Sequence, residues 1–425
     1  MRDPAENVSL GKHIKVFIIL ICCILLSSGC STLQQDHSQH PEESLISDQT
    51  SNKNSILFEA DFDLLWEQLT KSYPYLPYLR EQGVDVDSLH DRYAAELSSI
   101  DSDGKFAGML QRMFSELHNF AHLGLVTPEM YQSYYYVYVL NDDIMPDELS
   151  AQFVKMLLDP GLSARYIAPD ITQENQITGV SRGFPEVAIH YYSDCRAIYM
   201  QIPSFAQEIV HRDSSLIEDV LTKYPEAEHI IFDITGNSGG SDQYWIENLV
   251  APFGGSYTFN YRNFFRYSDI YEDYYSGLDA MPVSDLDDAP EWADLMDLDC
   301  YYVTRMVLPG EDKDGETMPM GNNLKRWVLI SPQVYSSSEK FASFCKDTGW
   351  ATLVGRTTSG DGLGTTPVLI LLPDSGMLVR FSFFVGENPD GSINAVRGTR
   401  PDVICIKGTL PLTRCLELIR EEQQP

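Results

Sequence analysis

Between residues 56 and 118 apolar side chains return every three or four positions, the spacing of amphipathic helices. Phe58, Phe62, Leu65, Trp66 and Leu69 line one face of a first helix, and a second runs near 86–97. A third starts after the capping residues Ser102 and Asp103 and carries Phe106, Met109, Leu110, Met113, Phe114 and Leu117 on one face. The pattern predicts a helical domain over 55–122. Next comes "YYYVYVL", residues 134–140, which reads as a strand within a β-rich linking segment over 123–185. From Glu186 short apolar runs alternate with helical stretches. "EVAIHYY", "RAIYMQI", "HIIFDI", "RWVLI", "ATLVG", "TPVLILL" and "MLVRFSFF" read as strands, with helices near 209–224 and 244–250 and after Ser336. This alternation predicts an α/β (α+β) domain over 186–410, with a closing helix over 411–425. The Tyr- and Asp-rich stretch 256–323 breaks the pattern and reads as an acidic insertion or lid.

The first 54 residues carry no core-forming pattern. Arg2, Lys12 and Lys15 precede the apolar run "VFIILICCILL", which is too short to span a bilayer and suits a signal sequence. "LSSGC" follows and resembles a bacterial lipobox, with Ser27 where a leucine is usual. Residues 1–30 are therefore expected to be a lipoprotein signal with Cys30 as the lipidation site, and 31–54 a polar tether. The five cysteines beyond it show no metal-type spacing. A formal net charge of −32 argues against nucleic acid as a partner, because it repels phosphate backbones.

Two stretches carry candidate chemistry. In "PQVYSSSEKFASF" Ser336 and Glu339 have the S-x-x-E spacing of a capping box, ahead of an apolar face made by Phe341, Phe344 and Cys345. In "IIFDITGNSGGSDQYW" a buried strand runs into a Gly-rich turn. This turn lacks the lysine of a P-loop and the spacing of a dinucleotide fingerprint. Its glycines let main-chain N–H groups converge on one point, which suits an oxyanion.

Together these stretches resemble the S41 peptidases, the C-terminal-processing and tricorn-core family. There the first motif reads D-x-R-x-N-x-G-G. The second reads S-A-S-E, then a helix, then G-x-x-x-x-V-G-x-x-T-x-G. "DITGNSGGS" and "VYSSSEKFASFCKDTGWATLVGRTTSGDGLG" follow that order here, with "AIYMQIPSF" before and "GTRPDV" after. The resemblance covers about residues 186–406. It implies a catalytic domain with a mixed sheet flanked by helices, and a serine endopeptidase acting on peptide or protein substrates, which the N-terminal signal would make exported. It implies no metal and no organic cofactor.

By the same resemblance Ser336 is the nucleophile, Ser337 gives one oxyanion-hole N–H, and Gly239 or Gly240 gives the other. The processing branch has a lysine base where this chain has Asp361, in a Gly-rich polar loop that reads as solvated. The tricorn branch has a histidine in a D-G-H-T turn after a helix. His122 corresponds, preceded by Asn119, Phe120 and Ala121 instead, with His118 one helical turn back as a competitor. That branch orients its histidine with a glutamate at the position held here by Ala395. Glu387, Asp361 and Glu339 remain open as substitutes. Three other readings follow: an impaired S41-fold lipoprotein that binds peptide or glycan, a metallohydrolase using His118 and His122 as an i, i+4 helical pair, and a structural lipoprotein with no site.

Overall fold

A computed structural model describes residues 55–140, 148–167, 183–268, 278–308, 323–364 and 367–423. The expected signal, Cys30 and the tether lie outside the described residues.

The N-terminal helices follow the apolar periodicity. They span Ser55–Ser72, Val86–Glu96 and Asp103–Glu116, with a further short helix, Tyr75–Glu81. Ser102 caps the third, its side chain accepting from Lys105 N–H. Phe62, Leu65, Leu69, Phe106, Leu110 and Phe114 are buried in one core shared with Val379 and Phe381. The helical unit thus sits on the strands that follow the candidate motifs.

The segment read as a β-rich link is mostly helical where it is described. Helices run over Pro128–Tyr135, Glu148–Leu157 and Pro160–Tyr166, with a π-turn over Tyr136–Leu140. Thr127 caps the first, with Pro128 at its start. Tyr131 stacks on Tyr166 with centroids 4.9 Å apart, and Tyr134 on Tyr138 at 6.3 Å. The Tyr134–Tyr138 contact has i, i+4 helical spacing and Tyr131–Tyr166 joins two helices, so packing overrides the β-propensity of the tyrosine-valine run.

The main sheet has six strands: β2 (Ala188–Tyr192), β3 (Ala197–Gln201), β4 (His229–Asp233), β8 (Lys325–Ile330), β9 (Thr352–Gly355) and β13 (Val403–Ile404). Their order is β13-β9-β8-β4-β3-β2, all parallel except β2 at the edge. Ile230 and Phe232 face a core shared with Phe341 and Phe344, while Ile231 faces Cys415 and Ile419 on the other side. Helices therefore cover both faces, as expected for strands that read as unbroken apolar runs.

The described parts of 256–323 are not irregular. The nine-residue strands β5 (Tyr257–Phe265) and β7 (Cys300–Leu308) pair along their full length. With β6 (Met281–Pro282) and β12 (Phe384–Gly386) they form a second, antiparallel sheet, order β12-β5-β7-β6. Phe264 and Phe265 are buried in the core of the helical unit. Residues 269–277 and 309–322 of this stretch are outside the described residues. A third sheet joins β1 (Gly124–Leu125), β11 (Met377–Phe381) and β10 (Val368–Leu372). The five cysteines of the described residues are all free.

Candidate active site

The carboxyl ends of β4 and β8 lie side by side, and a turn leaves each. This is where open parallel sheets bind ligands. From β4 the chain enters the Gly-rich turn and then a short helix, Asp242–Trp245. From β8 it enters 331–336 and the helix Ser337–Thr348. Ser338 Oγ donates to Asn237 O at 2.8 Å, and Ser331 Oγ to Thr235 O at 2.6 Å, tying the two turns together.

Ser336 does not act as a capping serine. It has φ 59° and ψ −127° and makes no side-chain bond to the helix. Such backbone is costly for a residue with a Cβ and persists only where surrounding contacts hold it. Glu339 does not reach back to the helix start either. Its Oε1 accepts from Asn394 Nδ2 at 2.8 Å and Thr399 Oγ1 at 2.7 Å, deep in the core. Burial pushes its pKa up to about 7. The capping-box reading fails because both of its members are used elsewhere.

The Ser336 hydroxyl points at a base. Its Oγ lies 3.2 Å from His122 Nε2. His122 arrives from the turn that follows the helix Asp103–Glu116, where His118, Asn119, Ala121 and His122 all have positive φ. His118 and His122 are therefore not an i, i+4 pair on a helix face. Ala121, which stands where the D-G-H-T pattern has glycine, has φ 52°. The backbone keeps the glycine conformation without the glycine. Ser382 N–H holds the turn by donating to Ala121 O at 2.8 Å, and Tyr73 OH donates to Phe120 O at 2.8 Å.

At the third position the structure departs from the sequence reading. His122 Nδ1 lies 2.6 Å from Asp361 Oδ2, and both side chains are at most 4% exposed. The loop expected to be solvated is buried against the nucleophile: Ser336 N–H donates to Gly360 O at 3.3 Å, and Gly362 N–H to Asn394 Oδ1 at 2.8 Å. Tyr73 and Tyr75, both buried, have their pKa values raised, mainly by burial and also by the Asp361 charge. The other acids considered are engaged elsewhere. Glu387 pairs with Arg262 through two contacts, and Glu339 with Asn394 and Thr399. Ser382 Oγ, 3.2 Å from Nδ1, is a neighbour that sequence reasoning missed. Its only signal is a serine breaking the apolar run "MLVRFSFF", where β11 ends and β12 begins in another sheet.

The glycine turn touches the nucleophile. A Cβ on Gly239 (φ 111°) would lie 3.0 Å from Ser336 Cβ and 3.1 Å from Ser337 N. One on Gly240 (φ 143°) would lie 2.2 Å from the Phe205 carbonyl carbon. Gly239 N–H is taken by Asn237 Oδ1 at 2.9 Å. Of the two glycines, Gly239 therefore packs on the nucleophile with its N–H engaged, and Gly240 packs on the Phe205 main chain. Asp242 clamps the turn to the helix: it accepts from Ser337 Oγ at 2.7 Å and Lys340 Nζ at 2.8 Å. A cavity of about 500 Å³ on the helical unit, lined by Arg92, Glu96, Arg112 and Glu116, includes none of these residues.

The profile of peptidase family S41 matches residues 196–405, and that of the tricorn protease C1 domain matches residues 58–115. The chain belongs to peptidase family S41. No curated protein matches the sequence significantly. Among solved structures, a putative peptidase from Parabacteroides merdae is 17% identical. The match covers 85% of this chain and 96% of that one, with a TM-score of 0.50. Mature CPAF is 12% identical over 87% of this chain and 96% of its own, with a TM-score of 0.51. At these identities the likeness is one of fold: N-terminal helices and a mixed sheet flanked by helices. The S41 family makes this chain a peptidase of the serine type.

Proposed function

We propose that this chain is an exported serine endopeptidase that cleaves peptide bonds with Ser336, His122 and Asp361. One observation carries the reading: a single buried imidazole lies 3.2 Å from a serine hydroxyl on one side and 2.6 Å from a carboxylate on the other. A serine is a weak nucleophile until a base takes its proton. His122 Nε2 accepts that proton as Oγ attacks the peptide carbonyl carbon. Asp361 keeps the proton of His122 on Nδ1 and stabilises the imidazolium that forms. The oxyanion is held by the N–H groups of Ser337 and Gly240, at the positive end of the helix dipole. The imidazolium then protonates the leaving amine. Water, deprotonated by the same imidazole, releases the acyl group and restores Ser336.

No step needs a metal or organic cofactor. The impaired-lipoprotein reading draws on the missing lysine and the doubtful acid; His122 beside Ser336 and Asp361 beside His122 supply candidates for base and acid. Export and anchoring through Cys30 rest on the basic start, the apolar run and "LSSGC" alone. The substrate would then be peptide or protein met outside the cytoplasm. A fluorophosphonate probe tests the chemistry: labelling and peptide turnover are expected in the native chain and lost in Ser336→Ala. Labelling that persists in Ser336→Ala would overturn the reading.

A further inference from the structure

We infer that Tyr335 is a positioning residue that holds base and acid in register with the nucleophile beside it. The inference rests on the serine-peptidase reading above. The Tyr335 hydroxyl donates to Asp361 Oδ2, the oxygen that also faces His122 Nδ1. It accepts the main-chain N–H of His122 at 3.2 Å. A phenol carries one proton and two lone pairs, so one hydroxyl can make both bonds. The ring lies against the imidazole, with centroids 4.8 Å apart and planes tilted by 42°.

Each contact answers a particular need. Asp361 sits in a dry pocket, where a carboxylate oxygen with too few donors is costly. The phenol proton gives Oδ2 a second donor and fixes the carboxylate rotamer that presents Oδ2 to Nδ1. His122 has φ 62°, and its buried N–H needs an acceptor, which the Tyr335 hydroxyl supplies. Tyr335 is in turn fixed by its own backbone: its N–H donates to Ser338 Oγ at 3.2 Å, and that serine is tied to the glycine turn. The residue that leads into the nucleophile therefore grips the base through its main chain and the acid through its side chain. Nothing in the motifs that carry the family resemblance points to Tyr335.

Tyr335→Phe removes only the hydroxyl. The expected result is a kcat lower by about 10- to 100-fold, the loss of a hydrogen bond to a charged group, with KM within about twofold. In an Asp361→Asn background the same substitution should cost several-fold less, because the hydroxyl acts mainly through the acid. A merely structural role would give equal losses in both backgrounds and would overturn the inference. A second readout does not depend on turnover. The Nδ1–H proton resonance of His122 should move in Tyr335→Phe, and in the opposite direction with 3-fluorotyrosine placed at 335, which keeps the shape and strengthens the donor. An unmoved resonance in the fluorotyrosine protein would overturn the inference even if Tyr335→Phe did not fold. Loss of the peptidase reading shows separately, as labelling that survives Ser336→Ala.

Discussion

His122 Nδ1 and Asp361 Oδ2 are 2.6 Å apart, although Asp361 occupies the loop position where the processing branch of the family carries its catalytic lysine. The same loop can therefore present either a base or the partner of a base. In this chain His122 stands between that loop and Ser336, so the loop presents a carboxylate to the imidazole.

Asp361→Asn is expected to lower kcat by about 10⁴-fold with KM little changed. An amide can present N–H to Nδ1 and favour the wrong imidazole tautomer. This reverses the expectation drawn from a solvated loop, in which Asp361 would matter little. Ser382→Ala leaves the acid in place and should cost less than about tenfold. Steady-state kinetics on folded variants decides. An Asn variant within tenfold of the native enzyme would remove Asp361 from the mechanism.

Gly240→Ala and Gly236→Ala should behave oppositely. The added Cβ at 240 would meet the Phe205 main chain at 2.2 Å, where nothing flexible can yield. That is overpacking against backbone, expected to cost about 3 kcal/mol or more and to abolish turnover by shifting the oxyanion site. A Cβ at 236 meets nothing within 4 Å. Chemical denaturation and turnover of both variants should show Gly236→Ala near native. Equal losses would mean that the turn is not shaped by its contact with Phe205.

The sequence carried the parts of this site that lie within single elements. The strand "HIIFDI" reads directly because β4 is buried along its whole length. The helix after Ser336 reads from Phe341 and Phe344 because they pack on one core. The acid did not read, because its role depends on where a loop of β9 meets a turn of the helical unit, and no local pattern encodes that meeting. Burial of "TSGDGLG" was hidden for the same reason: Gly and Asp describe a turn, not what packs over it. The capping box misled because a short spacing rule cannot distinguish a glutamate folded back on its helix from one bonded to Asn394. Helix and strand were confused at 134–140 because tyrosine and valine favour strands locally, while Tyr131 and Tyr134 pack from a helix into a core with Phe153, Leu157, Leu369 and Leu378.

Glu339 should make stability depend on pH in a specific direction. Its pKa in the folded chain is raised to about 7 by burial, above the ordinary 4.5. The folded state then holds a proton that the unfolded state has lost. Stability should fall as pH rises between those two values and level off above about 7. The whole change is about 3 kcal/mol for this group alone. Glu339→Gln keeps the size and the acceptor for Asn394 but cannot ionise. Denaturation midpoints across this range should show the variant gaining on the native chain as pH rises. A constant difference would mean that Glu339 does not titrate there.

The last prediction concerns moving the base. The family has both Ser-His and Ser-Lys arrangements, and the loop bearing Asp361 is buried beside Ser336. In the native background Asp361→Lys should be inactive, because it sets an ammonium against the imidazole and removes the acid. In His122→Ala the imidazole leaves a gap between the loop and Ser336 Oγ. A lysine at 361 reaches further than the aspartate and can enter that gap. The surroundings are dry, so its amine should be easier to deprotonate than in water. His122→Ala/Asp361→Lys is therefore expected to recover about tenfold in turnover over His122→Ala, with an optimum displaced to alkaline pH. A solvated loop would have predicted no recovery. Turnover and fluorophosphonate labelling of the two variants across pH decide between these outcomes. No gain at any pH would mean that burial at 361 suits a carboxylate partner of histidine and not a lysine base.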